Sequence, residues 1–361
     1  MYRNSFRLTN TEIDDAFAAR HFRLVFQPKI RLSDGRLMGA ESFARWQHPQ
    51  FGVIPPALFL PVLARQGRSQ ELTRYVLGEA IAQLARWRTH DENLTISVNV
   101  APEELADGSL PISIRLALNT ADVDPSRLVL DLPERGLAAE PDRAKATIHA
   151  LSEIGIGLAL ECAAEPLIDF KAADPQTLDP SSFGELKIGG QAIIQFASRL
   201  EGTGLGLMQS RIAYARDNAM TTTAVGAETP QTISLLPSLG FELAQGNAIS
   251  PPLTPHALAG FTPEAHAVTA PAPTPAKQPL EQLVLPQAPV PTAKPPRVRV
   301  VRGAAQIDLM TDQGSGTQAR IARLRVPSPH DATAPAKTAD DAASEGLLSK
   351  WHQRLSRALA F

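Results

Sequence analysis

Eight short aliphatic or β-branched runs recur through the first two thirds of the chain, at 22–26, 37–40, 95–98, 128–130, 157–160, 185–188, 221–224 and 241–244. Most are followed by apolar residues at three and four spacing, as in Leu72, Val76, Ile81, Leu84 and Trp87, then Ala144, Ile148, Leu151 and Ile154. Short apolar runs alternating with 3.6-period stretches predict strands separated by covering helices, and eight of them predict an α/β fold of the closed, TIM-like (β/α)8 barrel type. In a parallel barrel the C-terminal ends of the strands meet at one mouth. The residues that close or follow the runs are Gln27, Glu41, Asn99, Asp131, Glu161, Lys187, Glu228 and Gln245. Carboxylates, amides and an ammonium at one mouth make a candidate site.

Composition sets the limits of that barrel. Nine prolines fall between residues 271 and 296, so a helix or a central strand is not expected there and the segment reads as extended and solvated. The chain therefore divides into a short extension (1–10), a barrel (11–262), a Pro/Ala-rich disordered linker (263–341) and a terminal segment (342–361). From residue 263 onward there are 12 Lys and Arg against 8 Asp and Glu, while the preceding part carries 23 against 29. Neither imbalance is large enough to imply a nucleic acid polymer as partner. The lone Cys162 excludes an internal disulfide and a cysteine-cluster metal site, and fits a reducing compartment. The polar start of the chain and the lack of an apolar run approaching roughly 18 residues give the expectation of a cytoplasmic protein.

Two features of the tail stand apart. Arg297, Arg299 and Arg302 alternate with Val298, Val300 and Val301, which reads as a solvated linker or a short basic strand. In 342–361, Leu347, Leu348, Trp351, Leu355 and Leu359 share one helical face, with Lys350, Arg354 and Arg357 on its flanks. That pattern predicts an amphipathic helix that docks on a partner protein, on the barrel, or on a membrane surface.

Several carboxylates and an amide oxygen around one cavity are hard ligands for Mg²⁺ or Mn²⁺, and phosphodiester hydrolysis is the chemistry such a set serves. In order along the chain stand FQPKI (26–30), ESFARWQHP (41–49), FLPVLARQG (59–67), SVNVAPEEL (97–105), LVLDLPE (128–134), LKI (186–188), AVGAE (224–228) and QGNAISPPL (245–253). Together they resemble the EAL family of cyclic di-GMP phosphodiesterases over nearly all of 11–262. The resemblance implies that Glu41, Asn99, Asp131 and Glu161 stand at metal-ligand positions. It also implies that Lys187 is the catalytic lysine, that Gln245 positions water, and that Gln27, Phe43 and Arg45 face the nucleotide. Glu134 resembles the carboxylate that steadies the active-site loop.

The departures are as specific as the matches. Ser42 and Phe43 replace the Ala and Leu of the signature, and Asp131 is one methylene shorter than the expected Glu. Cys162 and Val225 replace two expected carboxylates; a thiol is a soft ligand and mostly protonated near pH 7. These losses imply a degenerate member, with no cofactor if inactive and Mg or Mn if phosphodiesterase activity persists. Three functions stay open at this point: a receptor for cyclic di-GMP, a protein-interaction scaffold, and an active phosphodiesterase yielding linear pGpG.

The remaining motif-like features have plain readings. Gly202–Gly206 lacks a phosphate-loop context and reads as a turn, His48 as structural, and Trp46 and Trp87 as packing residues.

Overall fold

The computed structural model describes residues 6–87, 94–162, 179–189, 203–262, 297–301 and 304–308. The strands are β1 (Phe6–Thr9), β2 (Phe22–Arg31), β3 (Leu37–His48), β4 (Gly52–Ile54), β5 (Thr95–Asn99), β6 (Leu128–Pro133), β7 (Gly157–Cys162), β8 (Glu185–Gly189), β9 (Thr221–Val225), β10 (Leu243–Gln245), β11 (Arg297–Val301) and β12 (Ala304–Asp308). The helices are α1 (Asn10–Ala18), α2 (Pro56–Arg65), α3 (Ser69–Arg86), α4 (Ser109–Ala121), α5 (Glu134–Ala139), α6 (Pro141–Ser152), α7 (Thr203–Asp217), α8 (Pro230–Leu239) and α9 (Pro255–Ala259).

One sheet runs β2-β10-β9-β8-β7-β6-β5-β3-β4, and β2 also pairs with β3, so it closes into a barrel with β4 as an outlying strand. All eight runs read from the sequence are barrel strands. The direction of the first corrects the expectation of an all-parallel barrel. β2 lies antiparallel to both β3 and β10, because β2 and β3 are joined by a tight connection in which Gly35 has a positive φ. A hairpin link of that length cannot make the crossover that parallel pairing needs.

Two apolar layers hold the barrel. The middle of its wall is buried; all six residues of β6 are buried, as fits a strand covered on both faces. Outside it, α3 buries Leu72, Val76, Leu77, Ala80, Ile81 and Leu84, and α6 buries Ala144, Ile148 and Leu151, at the spacing expected. Where the start of β2 pairs with the C-terminal part of β3 there is an aromatic cluster, with Phe22 5.2 Å from Trp46 and 5.5 Å from Phe59, ring centre to ring centre. Trp46 and Trp87 are packing residues, and His48 is structural: its Nδ1 accepts from the backbone N–H groups of Gln50 and Phe51.

Two segments differ from their sequence reading. Thr203–Gly206 open α7 rather than forming a turn; Gly202 is outside the described residues. Within the stretch expected to be a solvated linker, β11 and β12 form an antiparallel hairpin whose second strand pairs with β1, so the short basic strand is paired with its own chain. The helical pattern of 342–361 lies outside the described residues. Among those described, no helix is long and apolar enough to cross a membrane.

Candidate functional site

Register decides which side chains meet. Across neighbouring strands Gln27 pairs with Glu41, Glu41 with Ser97, Asn99 with Asp131, Glu161 with Lys187, and Val225 with Gln245. Paired residues share a face, and residues two apart on a strand return to it. Gln27, Glu41, Asn99, Asp131, Glu161, Lys187 and Gln245 therefore face the barrel interior together. Gln27 reaches it from the middle of an antiparallel strand and Glu41 from the middle of β3, so neither sits at a strand end as the run lengths suggested. Glu228 follows β9 in a loop and accepts from Asn247 Nδ2 at 2.8 Å on the rim.

Lys187 is the centre of the cluster. Its Nζ donates to Glu41 Oε2 at 2.9 Å and also to Asp131 Oδ2, and the residue is 1% exposed. Gln245 Nε2 donates to the same Glu41 oxygen at 3.0 Å and to Gln27 Oε1 at 3.2 Å. Asn99 Nδ2 donates to Glu41 Oε1 at 2.6 Å. Gln27 Nε2 in turn donates to the Ser250 carbonyl at 3.2 Å, which ties the cluster to the loop after β10.

The charges respond to this packing. Burial alone would raise the Glu41 carboxyl, but the Lys187 ammonium and three hydrogen bonds outweigh it and hold the group below the usual carboxylate range. Burial pushes Asp131 up to about 7 against the pull of Lys187, with Glu41 and Glu185 adding to the rise. Burial opposes the charge on Lys187, yet Asp131, Glu41 and Glu185 together raise it above the ordinary lysine value. Glu161 and Asn99 lie open at the mouth. Desolvation of its carboxyl by the surrounding wall, then the Glu41 charge, raises Glu161.

Cys162 does not join them. It follows Glu161 by one residue, so the pleat turns it outward, where it pairs with Ile188 and is buried in the apolar layer under the helices. Burial pushes its thiol up to about 12, with Arg211 opposing and Glu134 adding. Val225 faces inward beside Gln245 and brings no ligand. Phe43 lies on the interior face above Glu41, half-buried, with the Arg45 guanidinium 6.0 Å from its ring centre.

Sequence reasoning missed a second polar layer below the first. Lys29 Nζ lies 2.5 Å from Glu185 Oε2, and Thr223 Oγ1 donates to Glu185 Oε1 at 2.6 Å. The signal was available: Lys29 is two residues from Gln27 and Glu185 two from Lys187, so both had to face inward. Also missed was Arg211 of α7, which pairs with the expected loop residue Glu134 at 3.0 Å, both fully buried.

Metal ligation by Glu41, Asn99, Asp131 and Glu161 does not fit this arrangement as it stands. Both Glu41 oxygens already accept hydrogen bonds, Asn99 turns its amide nitrogen to the site, and Lys187 lies between the two buried carboxylates. Among the described residues no group of three or more His, Cys, Asp and Glu side chains is arranged to hold a metal ion.

Gly246 sets the distance between the last two mouth loops. A Cβ there would lie 2.3 Å from the Ala227 backbone N and O, and the neighbouring Gln245 carbonyl accepts from both Gly226 and Ala227 N–H. Gly246→Ala is expected to cost about 1–3 kcal/mol, seen in urea denaturation, because backbone rather than a flexible side chain must move.

The EAL domain model matches residues 10–252. A cyclic di-GMP phosphodiesterase of Pseudomonas aeruginosa, PA2567, is 30% identical over 249 residues, which cover 66% of this chain and 39% of that protein. The solved PaMucR phosphodiesterase in complex with c-di-GMP superposes with a TM-score of 0.62 at 26% identity, covering 69% of this chain and 98% of that one. The EAL domain of FimX from Pseudomonas aeruginosa, solved bound to c-di-GMP, shares the fold with a TM-score of 0.57 at 23% identity, over 67% of this chain and 95% of that one. The chain thus spans well under half the length of the curated relative it matches. A closed barrel with one reversed strand, the polar mouth and a family match over two thirds of the sequence agree, and the chain belongs to the EAL domain family.

Proposed function

We propose that this EAL domain binds cyclic di-GMP at the barrel mouth without hydrolysing it, and acts as a receptor in cyclic di-GMP signalling. The observation that carries the reading is Lys187 held between Glu41 and Asp131, with Cys162 turned into the apolar layer and Val225 in the mouth. A two-metal hydrolysis needs two ions about 3.5–4 Å apart held by shared and private carboxylates. This mouth offers Glu41 and Asp131, both engaged by an ammonium, and an open Glu161. Nucleotide binding has lighter demands: an Arg for phosphate, an aromatic face for a base, and amides for base edges. Arg45 and Phe43 supply the first two, and the Gln27 amide lies deeper, paired across the strands with Glu41. The relatives named for a phosphodiesterase and solved with c-di-GMP support the ligand.

Titrating the full chain with cyclic di-GMP, with and without Mg²⁺, tests this. The expected result is micromolar binding that does not need the metal and yields no pGpG. Arg45→Ala is expected to weaken it about tenfold, the worth of one charge-assisted phosphate contact. Steady production of pGpG with Mg²⁺ or Mn²⁺ would establish an active phosphodiesterase instead. Absence of binding would leave the barrel as a protein-interaction scaffold, with the C-terminal segment 342–361 as its other docking element.

A further inference from the structure

Lys187 does more than occupy the mouth. Its ammonium contacts one oxygen of Glu41 and one of Asp131 from a residue with almost no solvent exposure. The second polar layer fixes it there, since Lys29 already engages Glu185 and leaves Lys187 as the cation facing the upper carboxylates. The amides conform to it: Asn99 and Gln245 both present N–H donors to Glu41, as a carboxylate demands when no metal claims their oxygens. Two acceptors are left over. Asp131 Oδ1 and Gln245 Oε1 are hard oxygens buried with no hydrogen-bond partner among the described residues.

We propose that Lys187 is the resident cation of this site, occupying the place between Glu41 and Asp131 where a divalent ion would sit and excluding it. Removing the ammonium releases Glu41 Oε2 and Asp131 Oδ2 from Lys187 and leaves them with the unpartnered Asp131 Oδ1 and Gln245 Oε1, oxygen donors of the type that Mn²⁺ and Mg²⁺ take. The inference rests on the metal-free binding proposed above. It is tested without nucleotide, so the two fail separately.

Mn²⁺ binding to the full chain is followed by loss of the free-ion paramagnetic resonance signal. Wild type is expected to bind no Mn²⁺ up to about 1 mM. Lys187→Met is expected to bind one ion at least tenfold more tightly, and Lys187→Met with Glu41→Gln to lose that ion again. Wild type binding Mn²⁺ as tightly as Lys187→Met would overturn the proposal. So would a folded Lys187→Met that binds none. If Lys187→Met does not fold, the wild type decides alone through its melting temperature. No change in 5 mM MgCl2 or MnCl2 supports the resident ammonium, and a rise of several degrees in either salt overturns it.

Discussion

Arg211→Met is expected to cost this protein about 3–5 kcal/mol, among the largest losses any single substitution here produces. Arg211 lies on α7 and its Nη2 reaches both oxygens of Glu134, at 3.0 and 3.4 Å, with neither side chain exposed. Methionine fills much of the same volume but takes the guanidinium away from a fully buried carboxylate, and the loss of that ion pair supplies the cost. Glu134 follows Asp131 by three residues and starts α5, so the same substitution loosens the segment that presents Asp131 to the mouth. Urea denaturation monitored by circular dichroism measures the effect. The double variant Arg211→Met with Glu134→Leu is expected to recover most of it, because two apolar side chains replace the pair. A single-variant loss under 1 kcal/mol, or a double variant as weak as the single, would show that the pair does not anchor α7.

The sequence carried the barrel clearly and its polarity less so. Short apolar runs such as LVLDLP announce strands without reference to anything distant, which is why all eight were legible. The direction of β2 was not, because the alternation in FRLVFQPKIR is the same whichever way the strand runs. What betrayed it was length: only the few residues between Arg31 and Leu37 separate β2 from β3, too few for a crossover. Cys162 is instructive in another way. Alignment of its motif puts it at a ligand position, whereas simple alternation from Glu161 turns it outward, and the structure follows the alternation. The Arg211–Glu134 pair had no local sign at all, since 77 residues separate the partners. The hairpin of β11 and β12 was half legible. Arg and Val alternating at 297–301 read as a strand, but the partner that orders it is β1 at the opposite end of the sequence.

Stability is expected to fall as pH rises from about 5 to 8, and Glu104 is the group whose removal should flatten that slope most cleanly. Glu104 lies in a short 3-10 turn, Pro102–Ala106, immediately after the strand that carries Asn99. It is fully buried; Arg74 Nε reaches one oxygen at a long 3.4 Å, while Oε2 has no hydrogen-bond partner among the described residues. Burial therefore raises its carboxyl to about 7, with Arg74 opposing and Asp107 and Glu103 adding to the rise. An acid whose folded pKa exceeds its unfolded value binds more protons when folded. Stability is then highest below the unfolded value, near 4.5, and declines as pH climbs through about 7. The rise of two to three pH units is worth at most about 3 kcal/mol across that window. Asp131, also raised to about 7, and Glu161, raised as well, act in the same direction, so wild type slopes for three reasons. Glu104→Gln keeps the shape, removes the charge and gives Arg74 an amide oxygen. It is expected to match wild type near pH 5, exceed it by about 1–3 kcal/mol at pH 8, and leave the Asp131 and Glu161 contributions to the slope. Equal slopes for the two proteins in urea melts at pH 5, 6, 7 and 8 would mean that Glu104 is ionised in the fold throughout, held by Arg74. Because the turn packs against Gly136 of α5 through Leu105 and Pro102, a shift on ionisation would be passed to the segment that follows Asp131. Nucleotide affinity of Glu104→Gln is accordingly expected to vary less between pH 6 and 8 than that of wild type.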